Sequence, residues 1–153
     1  MKYIQLKIPP PAYMFLFAGV MWLLDKQLPL LSVLESSWNN IGWVIMALSL
    51  IPAAGAFRLF NHFKTTANPF QPEKASELVT SGIFRFTRNP MYLSLFLLLT
   101  GWAVYLGSLM VFLLPFLFIL VITTQQIKYE EQALEKLFGD DYLAYKKRVR
   151  RWM

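Results

Sequence analysis

Apolar residues in this chain fall in four blocks separated by polar segments, with no sustained period of 3.6 or 2. The blocks at 9–24, 41–60, 90–105 and 109–125 approach the ~20 residues that cross a bilayer as a helix. The pattern predicts an all-α integral membrane protein with about four transmembrane helices in one domain, 1–153. Pro9-Pro10-Pro11 sets the start of the first block, which ends at Asp25-Lys26 without a small-residue cleavage site and so reads as a retained helix. Between the first two spans, 25–40 is mixed, with Trp38 suited to the headgroup level, and is expected to lie along the interface or dip into it. Pro52 and Gly55 predict a kink or a close helix contact in the second span.

The longest polar stretch, 61–89, holds Pro69 and Pro72 and reads as a loop, packed through Phe63, Phe70, Phe84 and Phe86. Leu106-Gly107-Ser108 is a tight turn, so the third and fourth spans form an antiparallel hairpin. Past Thr124 the helix is expected to continue into water to Phe138, with Gly139 as its stop and Asp140 or Asp141 capping a last helix. That helix sets Tyr142, Tyr145, Val149 and Trp152 on one face, opposite Lys146, Lys147, Arg148, Arg150 and Arg151.

Charge orients this frame. Of the 15 Lys and Arg residues, only Lys26 falls on the far side of a four-span layout. The asymmetry places the N-terminus, the 61–89 loop and the helices of 126–152 in the cytosol. It also explains the net charge of +6 without nucleic acid, for which no basic, aromatic-interleaved soluble segment is present. Cysteine is absent, which excludes thiolate nucleophiles and disulfides, and the one histidine, His62, does not make a metal site.

Two features can carry chemistry. The first is the corner Arg88-Asn89-Pro90-Met91-Tyr92, where Asn89 suits an N-cap and Pro90 the first helical position. Its open N–H groups are a place for a carboxylate or phosphate. The second is Glu130-Glu131, just past the fourth span and on the same membrane face, able to accept hydrogen bonds from ammonium or hydroxyl groups. Together they suit a zwitterionic small molecule.

The stretches SGIFRFTRNPMYLS and YEEQALEKLFGDDYLAYKKRV resemble the two signature blocks of the isoprenylcysteine carboxyl methyltransferases, which group with the phospholipid methyltransferases. The resemblance covers about 60–150. It implies an S-adenosylmethionine-dependent enzyme of a membrane, multi-pass and prokaryotic, acting on a lipid-like or prenylated acceptor that enters from the bilayer. Transfer to oxygen is favoured over transfer to nitrogen. Carried onto this chain, it implies a donor site of Ser76, Glu77, Leu78, Val79, Phe84, Asn89, Pro90, Met91, Tyr92 and Glu130. Arg88 and Glu131 are the candidate catalytic residues, and Gln126 the candidate substrate-binding residue. No metal and no nucleic acid are implied.

Four positions depart from the family pattern. Asn89 replaces a His, Phe84 a Tyr, Ser94 a Gly, and Gln126 the Arg that faces a carboxylate acceptor. The alternatives are a phospholipid N-methyltransferase, an NADPH-dependent membrane lipid reductase and a membrane scaffold. If the acceptor is an amine, Glu130 or Glu131 is the available base, and Phe84, Phe86 and Tyr92 are candidates for cation–π contact with a sulfonium.

Overall fold

The structure, a computed structural model, describes residues 8–27, 38–65 and 75–153. These form six α-helices, with no strand among the described residues: α1 Pro10–Gln27, α2 Asn39–Leu48, α3 Leu50–His62, α4 Pro90–Leu106, α5 Leu114–Ile122 and α6 Lys128–Arg148. Short 3-10 turns at Gly82–Arg85 and Leu109–Leu113 and a π turn at Thr123–Ile127 complete the order.

Among the described residues, two helical stretches, Asn39–His62 and Leu109–Arg148, are long and apolar enough to cross a membrane; Pro90–Leu106 is apolar but shorter. Their outward faces carry large apolar side chains, among them Leu50 at 63 %, Leu113 at 68 % and Leu120 at 64 % exposure. Rows of such residues facing outward suit a lipid surround.

The predicted second span is broken where proline chemistry requires it. Pro52 has no N–H, and its ring crowds the carbonyl four residues back, so α2 stops at Leu48 and α3 restarts at Leu50. The neighbouring Ala53 N–H is taken by Ser94 Oγ from α4 at 2.8 Å. Ser94, the departure from a family glycine, thus closes the kink. Ser94→Ala should cost about 1 kcal/mol by leaving that part-buried N–H unpaired, read as a lower thermal midpoint in detergent.

Glycine does the close packing about three turns earlier in the second span. A Cβ on Gly42 would lie 2.5 Å from the Gly101 carbonyl, and one on Gly101 2.8 Å from the Gly42 carbonyl, so α2 and α4 meet backbone to backbone. Helix α1 is tied to α4 by Trp102 Nε1 donating to Ala18 O at 3.1 Å. A membrane-level core joins Tyr13, Met14 and Met21 of α1 to Leu99 and Ala103 of α4 and Phe118 and Ile122 of α5. A second core packs Ala56, Val79 and Phe84 against Tyr142, Tyr145 and Val149.

Several expectations change in detail. Helix α1 runs on through Asp25-Lys26 to Gln27, and 28–37, the centre of the expected interfacial segment, lies outside the described residues. Helix α3 extends to His62, and the expected loop contains a 3-10 turn at Gly82–Arg85, where Gly82 has φ +56°. Within that loop, Phe70, Pro69 and Pro72 lie outside the described residues. The fourth apolar block opens as a 3-10 turn and leaves as a π turn instead of running as one α-helix. The hairpin turn is as expected: Gly107 adopts φ +76° and donates its N–H to Ala103 O at 2.9 Å.

Gly139 also breaks the last helix, at φ +52° and ψ −125°. Lys146 Nζ lies 3.2 Å from Glu135 Oε2, which a straight helix rising ~1.5 Å per residue forbids for residues so far apart. The chain therefore folds back at Gly139, laying Tyr142 and Tyr145 on the protein.

Candidate functional site

The corner at the start of α4 and the acidic pair at the start of α6 face one another across a cavity of about 570 Å³. Pro90 occupies the first turn of α4, as its missing N–H permits. Asn89 precedes it, but its side chain does not cap the helix. Instead Asn89 Nδ2 donates to Arg151 O at 2.9 Å, because the chain after α6 returns across this corner and presents a carbonyl there. The N-cap role expected for Asn89 is replaced by a tertiary contact.

The acidic pair divides its work. Successive residues on a helix point about 100° apart, so Glu130 and Glu131 meet different partners. Glu130 accepts a hydrogen bond from the Tyr92 hydroxyl. Glu131, buried, receives Arg88 Nη2 at 2.9 Å and Arg151 Nε and Nη2 at 2.9 and 2.6 Å. Two guanidinium groups on one carboxylate leave one positive charge uncompensated. Arg88 Nε and Nη1 are buried without a hydrogen-bond partner, and such donors are costly unless something pairs with them.

Glu130 lies past the apolar stretch that ends at 125. Burial pushes its carboxyl up to about 7; the nearby Glu131 adds to the rise, and the Tyr92 hydrogen bond opposes it. Deeper in the fold, burial also raises the Tyr142 and Tyr145 hydroxyls. The Tyr145 hydroxyl donates to Phe84 O at 2.8 Å, fixing the 3-10 turn that presents Phe84.

The π turn sets which way the acids face. It places one residue more than an α-helix would between α5 and α6, and one residue is worth about 100° of rotation. Gln126 sits inside it, fully buried, with Nε2 donating to Ile8 O at 2.8 Å. Gln126 therefore braces the segment leading into α1, and it is not among the residues lining the cavity.

Of the ten residues expected at the donor site, all but Ser76 line the cavity, and Arg88 and Glu131 join them. Ser76 is exposed, with its N–H on Thr65 Oγ1 at 3.0 Å. Phe84 and Tyr92 line the cavity while Phe86 is 72 % exposed, which removes Phe86 from any cation–π role inside it. The far wall is apolar: Pro9, Leu50, Ala53 and Phe57, where the starts of α1 and α3 approach. Leu50 and Phe57 are themselves exposed, so this wall reaches the outer apolar surface.

Sequence reasoning missed Arg151, which was expected on the solvated basic face of the last helix. The helix ends at Arg148, and the extended backbone at Val149 (φ −121°, ψ 130°) turns residues 150–153 back toward the protein. The apolar neighbours Val149 and Trp152 were the signal that this segment returns. Both pack on its cores.

Comparison with known proteins places the chain in a family. The family model described as phospholipid methyltransferase matches residues 38–141. An uncharacterised protein of Haemophilus influenzae is 51 % identical over 63 residues, 41 % of this chain and the whole of that protein. The protein-S-isoprenylcysteine O-methyltransferase of Schizosaccharomyces pombe is 38 % identical over 72 residues, 47 % of this chain. The match spans 30 % of the yeast enzyme's length. No solved structure matches the chain.

Proposed function

Because the chain belongs to the phospholipid methyltransferase family, we propose that it is an S-adenosylmethionine-dependent membrane enzyme that methylates a lipid-like or isoprenoid-bearing acceptor. The carrying observation is the two-ended cavity. One end holds Glu130, Tyr92, Arg88 and the start of α4, and the other is an apolar wall that reaches the lipid-facing surface.

The residues present fit the donor. It supplies a methyl group on a sulfonium, transferred by in-line displacement. Glu130 offers a carboxylate to an ammonium or ribose hydroxyl, and Tyr92 holds that carboxylate in place. Arg88, with two unpaired buried N–H groups and net positive surroundings, suits a carboxylate. Packing of the 3-10 turn and α6 around the cavity restricts water, and holding the reactants in line lowers the barrier by several kcal/mol. In this reading the whole chain is one domain of four spans, α1, α2–α3, α4 and α5, with the cavity mouth and both termini on the cytosolic side of a prokaryotic inner membrane.

Transfer to oxygen remains the favoured reading because a carboxylate acceptor has no proton to lose and needs no base, although Gln126 is turned away. One observation favours the N-methyl alternative: a carboxyl held up to about 7 is well matched to receive the proton an amine acceptor releases.

Calorimetric titration of the detergent-purified protein with S-adenosylhomocysteine, beside Glu130→Ala, tests the reading. Saturable binding by the wild type that the variant lacks is the expected result. Binding of NADPH in its place would favour the reductase alternative. Incubation with methyl-labelled donor and lipid extract then separates the acceptors, since base treatment releases methanol from an ester and nothing from an N-methyl group.

A further inference from the structure

The segment after α6 makes more specific contacts with the corner than a solvated basic run requires. Arg88 N donates to Arg150 O at 3.1 Å, and Thr87 Oγ1 donates to Arg151 O at 3.1 Å. Asn89 Nδ2 donates to the same carbonyl at 2.9 Å, while the Arg151 side chain makes two hydrogen bonds to Glu131. Three consecutive residues of the corner, 87–89, are thereby held by two residues of the returning chain. Those two lie beyond 38–141, the part matched to the family.

We infer that 149–152 is a strap over the methyl-donor site and that Arg151 is a positioning residue for it, acting through Glu131, Asn89 and Arg88. The inference rests on the donor-site reading above. Arg151 does not line the cavity, so it acts through the residues that do. Its carbonyl orients the Asn89 amide, and its guanidinium shares Glu131 with Arg88. Without its guanidinium, Glu131 draws on Arg88 alone, and the carbonyl ties at 150 and 151 lose the side-chain anchor that holds the strap in place. Displacing such a corner by about 1 Å is enough to change ligand geometry severely.

A second consequence is electrostatic. The groups around Glu130 are Tyr92 from α4 and Glu131 from α6, with Arg88, Arg151 and Tyr142 grouped about Glu131. Removing the Arg151 charge leaves this neighbourhood more negative, which disfavours the Glu130 carboxylate and moves its titration to higher pH.

The test is S-adenosylhomocysteine binding against pH by full-length wild type, Arg151→Gln and Arg151→Lys. The expected result is about tenfold weaker binding by Arg151→Gln, with its pH midpoint displaced upward, and a midpoint restored in Arg151→Lys, which keeps the charge. A purely structural strap would weaken binding without moving the midpoint. Equal affinity and an unmoved midpoint in Arg151→Gln, with the wild type binding, would overturn the inference and leave the methyltransferase reading intact. Failure of the wild type to bind would overturn both. Should Arg151→Gln not fold, Arg151→Lys carries the test: weaker binding from its lost hydrogen bond supports the strap, and undiminished binding overturns it.

Discussion

Glu130→Gln should weaken donor binding by about thirtyfold and abolish most of its dependence on pH. The magnitude comes from about 2 kcal/mol for a hydrogen bond to a charged partner in a buried site. The sign comes from the raised carboxyl of Glu130, held up to about 7 chiefly by burial. Below that pH the group is neutral and offers the ligand's ammonium no charge; above it the carboxylate forms and affinity rises. Docking of that ammonium on the carboxylate in turn draws the titration downward, by linkage. Titrating wild type and variant with S-adenosylhomocysteine at pH 6 and pH 8 checks both statements, and a wild-type affinity that falls over that interval would contradict them. Tyr92→Phe gives an independent view. The Tyr92 hydrogen bond opposes the rise at Glu130, so its removal should move the midpoint upward while the charge is retained.

Glu131→Ala should be the most destabilising single change in the site, by about 3–5 kcal/mol. The reason is the charge it strands. Arg88 is almost wholly buried and would keep no ion-pair partner, with Nη2 joining Nε and Nη1 as unpaired donors. Arg151 is roughly a third exposed and can turn to water, so it adds less. Thermal unfolding in detergent should show a large fall in midpoint. The double variant Arg88→Met with Glu131→Leu should recover part of it, since replacing both partners of a buried pair by apolar groups removes the stranded charge. A double variant no more stable than Glu131→Ala would show that the ion pair is not what the single change disrupts.

These two neighbours differ so much because the helix points them apart, which the sequence alone did not reveal. Read as letters, Glu130-Glu131 was an acidic pair with Glu130 in the donor site and Glu131 a candidate catalytic residue. In three dimensions Glu130 faces Tyr92 and the cavity, whereas Glu131 holds two arginines. Asn89 shows the same limit. Its place before Pro90 fitted an N-cap, and only the returning chain shows why its amide is used elsewhere. Gln126 aligned with a substrate-binding arginine, yet it lies in a π turn and spends its amide N–H on Ile8 O.

Local chemistry was legible wherever the cause was local. Pro52 ends α2 because its ring and missing N–H act on the nearest turn, Gly107 ends α4 because its backbone alone takes φ +76° cheaply, and Gly139 breaks α6 for the same reason. The apolar blocks, the corner before α4 and the acids after α5 were likewise visible, since block length and residue type do not depend on distant contacts. What only the tertiary structure decided is rotation and return. The π turn sets the face that each acid presents, and the extended backbone at Val149 brings Arg151 onto Glu131 from outside the helix that was expected to carry it. Both depend on contacts across many residues of sequence, where spacing carries no information about direction.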